Sequence, residues 1–366
     1  MAGGHEGKMM KRRSIHIGLV LSVMAAAFTG CALVDEDMRD CEADHKINYE
    51  LRLVTNLTTE LQTQLSTQVE LQAVATALQN ELAGIFTDYA HDVNLSFYDV
   101  KEDSLRLHHE SHIMDANQSS YTLYIPVRKY MHVAVANLEP PKQADGTPED
   151  TLIVLVDDEK CHTARIEQPV NSIKNIIKSQ NTGVFTARLP MDIKEGIDQE
   201  FNVKLFMANC ASAVALDTLG SGIKDVRVFA SGFANGFNLA DSTYLFRFTP
   251  QVQAVDAGVA DGQFACFYAV TFPSQDVATK TVIDSDDPYV SEVSTEKLWD
   301  YTIYITAADG STTETVLSVK IPLRPGQFKL IRAKVQPDGS VTPREPYVGA
   351  SVTLKWNERP GWDIEL

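Results

Sequence analysis

The chain has 366 residues, a formal net charge of -17, 44% hydrophobic and 22% charged residues. That length exceeds one ordinary sandwich and suggests about two domains of ~100–200 residues each. The composition excludes a disordered chain and a protein that crosses a membrane repeatedly, and the surplus of carboxylates argues against nucleic acid or anionic lipid headgroups as direct partners.

The N-terminus reads as a targeting segment. Lys8, Lys11, Arg12 and Arg13 precede a stretch from Ile15 to Phe28 that lacks Asp, Glu, Lys and Arg. The stretch is too short to cross ~30 Å of hydrocarbon as a stable helix. It ends in Phe28-Thr29-Gly30-Cys31, which resembles the lipobox of bacterial lipoproteins, with an aromatic where an aliphatic residue is commoner. The expectation is a signal peptide over 1–30, cleavage between Gly30 and Cys31, and lipidation of Cys31. No second apolar run of membrane length follows, so these acyl chains would be the sole membrane attachment. Residues 31–45 read as an acidic tether, because Asp35, Glu36, Asp37, Asp40, Glu42 and Asp44 face only Arg39 as an opposing charge before Lys46. Repulsion keeps such a stretch extended. It also resembles the surface-export signals of Bacteroidetes lipoproteins.

Four cysteines remain: Cys41, Cys161, Cys210 and Cys266. An oxidising compartment permits disulfides among them, in any of the three connectivities open to four cysteines. The favoured candidate is Cys41–Cys161, joining tether to first domain, with Cys210 and Cys266 as buried thiols or a pair in the second. The absence of any CxxC pair argues against a zinc site.

Along the chain, Ile47–Val54 alternates and predicts a strand. The period then becomes helical: Leu57, Leu61, Leu65, Val69, Leu71, Val74, Leu78, Leu82, Ile85 and Tyr89 predict a long amphipathic helix over about 57–90. From 92 onward the pattern is nearly all β. Strands at 93–97, 121–127, 131–136 and 152–156 complete an N-terminal sandwich over 46–182. About eight more, from 201–207 to 351–356, form a C-terminal sandwich over 183–366. Strand 264–272 is apolar on both faces and should be covered on both.

Signals for chemistry are weak. His108-His109-Glu110-Ser111-His112 places two histidines four apart but lacks the His-Glu-x-x-His order of a zinc protease helix, and it follows a strand-like Leu105-Arg106-Leu107. An exposed polar hairpin is the expectation there. Gly220-Ser221-Gly222 and the Gly232–Gly236 run lack the context of a phosphate loop. No G-x-S-x-G nucleophile elbow occurs. No catalytic, metal or cofactor residue is therefore assigned. Asp150-Thr151-Leu152 and Asp217-Thr218-Leu219 resemble short O-glycosylation sequons, which would need exposed loops. A glycan-binding surface would want aromatic platforms, and only Trp299, Trp356 and Trp362 supply tryptophan.

Several segments carry a family likeness in order: Asp40-Cys41, the strand Ile47–Leu53 running into a polar helix, Phe97-Tyr98-Asp99, Tyr121–Pro126 leading to Ala134–Asn137, Phe185–Met191, and Met207-Ala208-Asn209-Cys210. Together they resemble the FimB-like fimbrial anchor lipoproteins of the Bacteroidales. The resemblance implies a mostly β chain of two tandem transthyretin-like antiparallel β-sandwich domains, here with a long helix inserted in the first. It further implies an outer-membrane, surface-exposed position held by lipid, and binding of the first fimbrial stalk subunit as the partner, through protein contacts such as β-strand addition. A stalk or tip subunit of the same fimbria and a surface glycan-binding lipoprotein are the alternatives. In related stalk proteins the resemblance implies an Arg-specific protease that strips the first strand. Here Arg39, Lys46 and Arg52 are the only basic residues between Cys31 and Lys101. Arg39 lies in the tether and Arg52 inside the predicted strand.

Overall fold

The computed structural model describes residues 44–54, 71–86, 90–101, 104–114, 118–139, 150–170, 175–217, 222–259, 264–276 and 296–355. The signal peptide, Cys31, the tether through 43, Cys41, Trp356 and Trp362 lie outside the described residues.

The described chain is mostly β with one helix. The first half contains β1 (Asp44–Val54), α1 (Gln72–Ile85), β2 (Ala90–Asp99), β3 (Arg106–Met114), β4 (Ser120–Pro126), β5 (Lys129–Ala136), β6 (Val154–Val156), β7 (Arg165–Glu167) and β8 (Ile176–Lys178). Next come β9 (Phe185–Asp192), β10 (Gln199–Met207), β11 (Cys210–Asp217), β12 (Ile223–Ser231), β13 (Gly236–Asn238), β14 (Thr243–Leu245), β15 (Gln251–Gln253) and β16 (Val255–Asp256). The last are β17 (Phe264–Thr271), β18 (Trp299–Ala307), β19 (Thr312–Val319), β20 (Phe328–Val335), β21 (Val341–Pro343) and β22 (Val348–Lys355).

The first sheet has the order β3-β2-β5-β9-β10-β1-β4. It folds at the β9–β10 junction, where only Phe206↔Thr186 and Met207↔Phe185 pair. The result is a four-stranded leaf facing a three-stranded leaf. Period-2 alternation sends Ile47, Tyr49 and Leu51 of one leaf and Val93, Leu95, Phe97, Tyr130 and Ala134 of the other into a shared core. At the far side the two edge strands meet, with the His112 and Tyr121 rings 4.4 Å apart and the Tyr121 hydroxyl donating to the Ile113 carbonyl.

A five-stranded sheet, β16-β17-β11-β20-β21, packs against a six-stranded one, β22-β19-β18-β12-β15-β8, in the second sandwich-like unit. Trp299, Tyr301, Ile303, Leu317 and Val319 meet Val214, Leu216, Phe267, Ala269 and Ile331 there. The Tyr301 hydroxyl crosses the layer to donate to Ser212 Oγ at 2.7 Å. Gly232, at φ +90°, lets the backbone pass Trp299, since a Cβ would lie 2.7 Å from the Trp299 Cα. Both faces of β17 are covered: Cys266, Tyr268 and Val270 belong to the first core and Phe267 and Ala269 to the second.

The helix lies between the two units. Val74, Leu78 and Leu82, on one stripe, are buried in the first core. Ala211, Ala213 and Ala215 share that core, and side chains this small let a helix approach the sheet closely. The helix is found at Gln72–Ile85; residues 55–70 lie outside the described residues. Its C-terminal end falls short of the expected Tyr89–Ala90, because Gly183 N–H takes the Ile85 carbonyl and Ala90 already begins β2.

A small fourth sheet, β14-β13-β7-β6, backs onto the outer face of the four-stranded leaf through Tyr98, Val133, Val135, Ile153, Ile166 and Phe237. Sheet membership does not divide at 183. Strands β9 and β10 pair within the first sheet, β8 joins the six-stranded sheet, and β6–β7 pair with β13–β14.

Candidate assembly interface

Strand β1 is the middle strand of the three-stranded leaf. It runs parallel to β10 from Ile47↔Gln199 to Val54↔Phe206 and antiparallel to β4 from Asp44↔Pro126 to Glu50↔Ser120. Ile47, Tyr49 and Leu51 are each 1% exposed, while Lys46, Asn48, Glu50 and Arg52 face solvent. Arg52 is therefore locked in a paired strand, which a protease cannot engage without first unpairing it.

Tyr49 also ties the leaves together. Its hydroxyl lies 2.6 Å from His132 Nε2 on β5, and His132 Nδ1 lies 3.0 Å from the Ser96 carbonyl. A carbonyl only accepts, so Nδ1 carries the proton and Nε2 accepts from Tyr49. The imidazole stacks on Phe97 at 4.3 Å and is fully buried. Burial pushes His132 down to about 4, only partly offset by the Ser96 carbonyl, and raises the Tyr49 phenol well above its ordinary value. This pair belongs to no motif in the sequence. Its one local signal is a histidine inside the apolar run Tyr130–Ala136.

At the opposite side, β9 and β10 separate after their two paired residues. Neither sheet pairing nor a backbone bond joins 187–191 to 200–205 among the described residues. The strands are drawn together again near the hairpin end, where Gln199 Nε2 donates to the Asp192 carbonyl at 2.9 Å and Gln199 Oε1 accepts from Lys194 N–H at 2.7 Å. The opening is a cavity of about 530 Å³. Its walls include Ala187 and Arg188 of β9 and Val203, Lys204 and Phe206 of β10, residues from both faces of both strands, together with Tyr244 of β14.

The histidine segment lies on β3, an edge strand of a β-hairpin. Strand geometry puts His108, Glu110 and His112 on one face and His109 on the other. Both imidazoles contact the one carboxylate, His108 Nε2 at 2.6 Å from Oε1 and His112 Nε2 at 2.9 Å from Oε2. A carboxylate thus stands between the two nitrogens that a shared ion would need. Among the described residues no group of three or more His, Cys, Asp or Glu is placed to hold a metal.

Cys161, Cys210 and Cys266 are buried and form no disulfide among the described residues, while Cys41, the expected partner of Cys161, lies outside them. Burial raises the Cys161 thiol, partly offset by the neighbouring Arg188 guanidinium. A Cys210–Cys266 pair is ruled out by register: Cys210 lies opposite Thr271, Cys266 lies opposite Ala215, and the two point into different cores. Thr151 is exposed, as a sequon requires, while Asp217 is buried and paired with Arg344, and Thr218 and Leu219 lie outside the described residues. Trp299 is 1% exposed and is no aromatic platform. No helix among the described residues is long and apolar enough to cross a membrane.

No protein-family model and no curated protein matches the sequence. Solved structures do. An adhesin candidate from Bacteroides ovatus is 12% identical with a TM-score of 0.47, covering 81% of this chain and 93% of that one. The fimbrial anchor protein Mfa2 from Porphyromonas gingivalis is 12% identical with a TM-score of 0.44, covering 85% and 98%. A fimbrial assembly protein from Parabacteroides distasonis is 12% identical with a TM-score of 0.38, covering 85% and 99%. Fimbrial proteins of the Bacteroidales are thus among the structural neighbours of this chain.

Proposed function

We propose that the chain is a non-catalytic outer-membrane lipoprotein that anchors a fimbria by binding its first stalk subunit. In this reading the two sandwich-like units are tandem transthyretin-like domains, the first carrying the helix, with the division between them after Met207. The observation that carries the proposal is the position of β1. Thirteen residues after Cys31, at Asp44, the chain enters the centre of the three-stranded leaf, paired on both sides. A pull on acyl chains at Cys31 would load β1 along its length, so its bonds to β10 and β4 would have to shear together. Peeling an edge strand would break them one at a time. An anchor needs that arrangement, and it needs β1 to stay in place, which agrees with Arg52 being held inside the strand.

The lipid attachment is tested by replacing its acceptor. Cys31→Ala is expected to abolish incorporation of labelled palmitate and to move the protein from the membrane to the soluble fraction. Membrane partition of the variant at the wild-type level would sink the lipid part of the proposal.

A further inference from the structure

We infer that residues 179–184 are a buried strap that holds the two sandwich-like units in one relative orientation, and that without it the five-stranded sheet can slide over α1. The strap follows from the fold, whatever the chain binds. It is the return of the chain from the six-stranded sheet at β8 to the first sheet at β9. On the way it bonds to separate parts of both units. Gln180 N–H donates to the Val270 carbonyl and Ser179 Oγ accepts from Val270 N–H, each at 2.9 Å, which ties the strap to β17. Gly183 N–H donates to the Ile85 carbonyl at the end of α1 at 3.0 Å, and a Cβ at 183 would lie 2.9 Å from the Phe86 ring. Thr182 Oγ1 donates to the Asn137 carbonyl at 3.0 Å and Asn137 Nδ2 to the Gly183 carbonyl at 3.3 Å, which ties the strap to the residue after β5.

A relay of three side-chain amides completes the joint. Val184 N–H donates to Asn209 Oδ1 at 3.2 Å, so Asn209 Nδ2 is left to donate, to the Thr182 carbonyl at 2.8 Å and to Gln180 Oε1 at 3.1 Å. Gln180 Nε2 then donates to Gln168 Oε1 at 3.2 Å, and Gln168 Nε2 to the Lys178 carbonyl at 2.8 Å. A backbone donor at one end and a carbonyl at the other fix the direction of every amide between them. Asn137, Gln168, Gln180, Thr182 and Asn209 are each at most 4% exposed, so solvent does not stand in for a lost partner. The apolar part of the joint lacks this directionality. Val74, Leu78 and Leu82 of α1 share a core with Ala211, Ala213 and Ala215 of β11, and such burial depends on area and little on register. Apolar contact therefore sets how closely the units approach, and the strap sets the angle between them.

Asn209→Leu keeps a γ-branched side chain and removes the amide at the head of the relay. In the purified full-length protein it is expected to speed hydrogen exchange at the Gln180, Gly183 and Val184 amides about tenfold or more. Spin labels carried on unnatural ketone side chains at exposed Thr122 and Ser351, one on each unit, report the orientation. Wild type is expected to give one narrow distance distribution and Asn209→Leu a broad one. Tyr301→Phe is the control: it removes the buried bond to Ser212 inside the second unit and should leave both readouts as in wild type. If Asn209→Leu does not fold, Thr182→Val, which deletes only the hydroxyl bond to Asn137, is expected to move both readouts in the same direction by less. Faster exchange with an unchanged distance distribution would overturn the inference, because the strap would then stabilise only itself. So would a broad distribution in wild type, wild-type behaviour of the strap variants, or equal broadening by Tyr301→Phe.

Discussion

Tyr49→Ala is expected to lower the unfolding free energy by about 3–5 kcal/mol, as for large aromatic side chains removed from a packed core. Tyr49 is 1% exposed and sits in the middle strand of its leaf, so no edge can relax into the space it leaves. The substitution also deprives buried His132 Nε2 of its donor. Tyr49→Phe separates the two effects: it keeps the ring and removes the hydroxyl, and should cost only about 1–3 kcal/mol for the unsatisfied nitrogen. Urea denaturation of the two variants gives the comparison. Equal losses for both would mean that the hydroxyl bond, and not ring packing, holds β1 against the opposite leaf.

Acid is expected to weaken the same contact. His132 is neutral in the folded protein and is pushed down to about 4 by burial, against an ordinary value near 6.5 in the unfolded chain. The unfolded state therefore binds the proton first. The stabilising contribution is complete above pH ~6.5, declines as pH falls through the window from there to about 4, and is gone below it. The full difference is on the order of 3 kcal/mol. A protonated His132 would also lose the acceptor that takes the Tyr49 hydroxyl. His132→Gln should flatten this part of the stability–pH curve, whatever its effect on stability at neutral pH. A curve for His132→Gln that keeps the wild-type slope between pH 4 and 6.5 would assign the acid sensitivity to other groups.

Much of this architecture was legible in the sequence because most strands alternate cleanly. Ile47, Tyr49 and Leu51 on β1, and Tyr121, Leu123 and Ile125 on β4, mark a buried face against a polar one. Strand β17 was legible as doubly covered for the converse reason, being apolar on both faces. Strand β11 was not recognised, although it is central in its sheet. Its Cys-Ala-Ser-Ala-Val-Ala-Leu-Asp is rich in alanine, which has weak strand preference, and its role depends on the helix that its small side chains admit. The His108–His112 segment read as a polar hairpin because its partners, Phe97 and Tyr121, come from neighbouring strands. Tyr49 and His132 are 83 residues apart and meet only when the sheet folds at β9–β10. No local pattern encodes that bend, which is also why the boundary expected at 183 cuts through a sheet.

The central claim is that this chain ends a polymer at the membrane. Deleting its gene and measuring fimbrial antigen on cells and in the culture medium, with filament lengths by electron microscopy, tests it most directly. The account predicts intact fimbriae shed into the medium and few left on the cells. Loss of fimbriae from both fractions would identify a stalk subunit, and fimbriae that remain attached to the cells would identify a tip subunit or an unrelated surface lipoprotein; either result would contradict the anchor assignment.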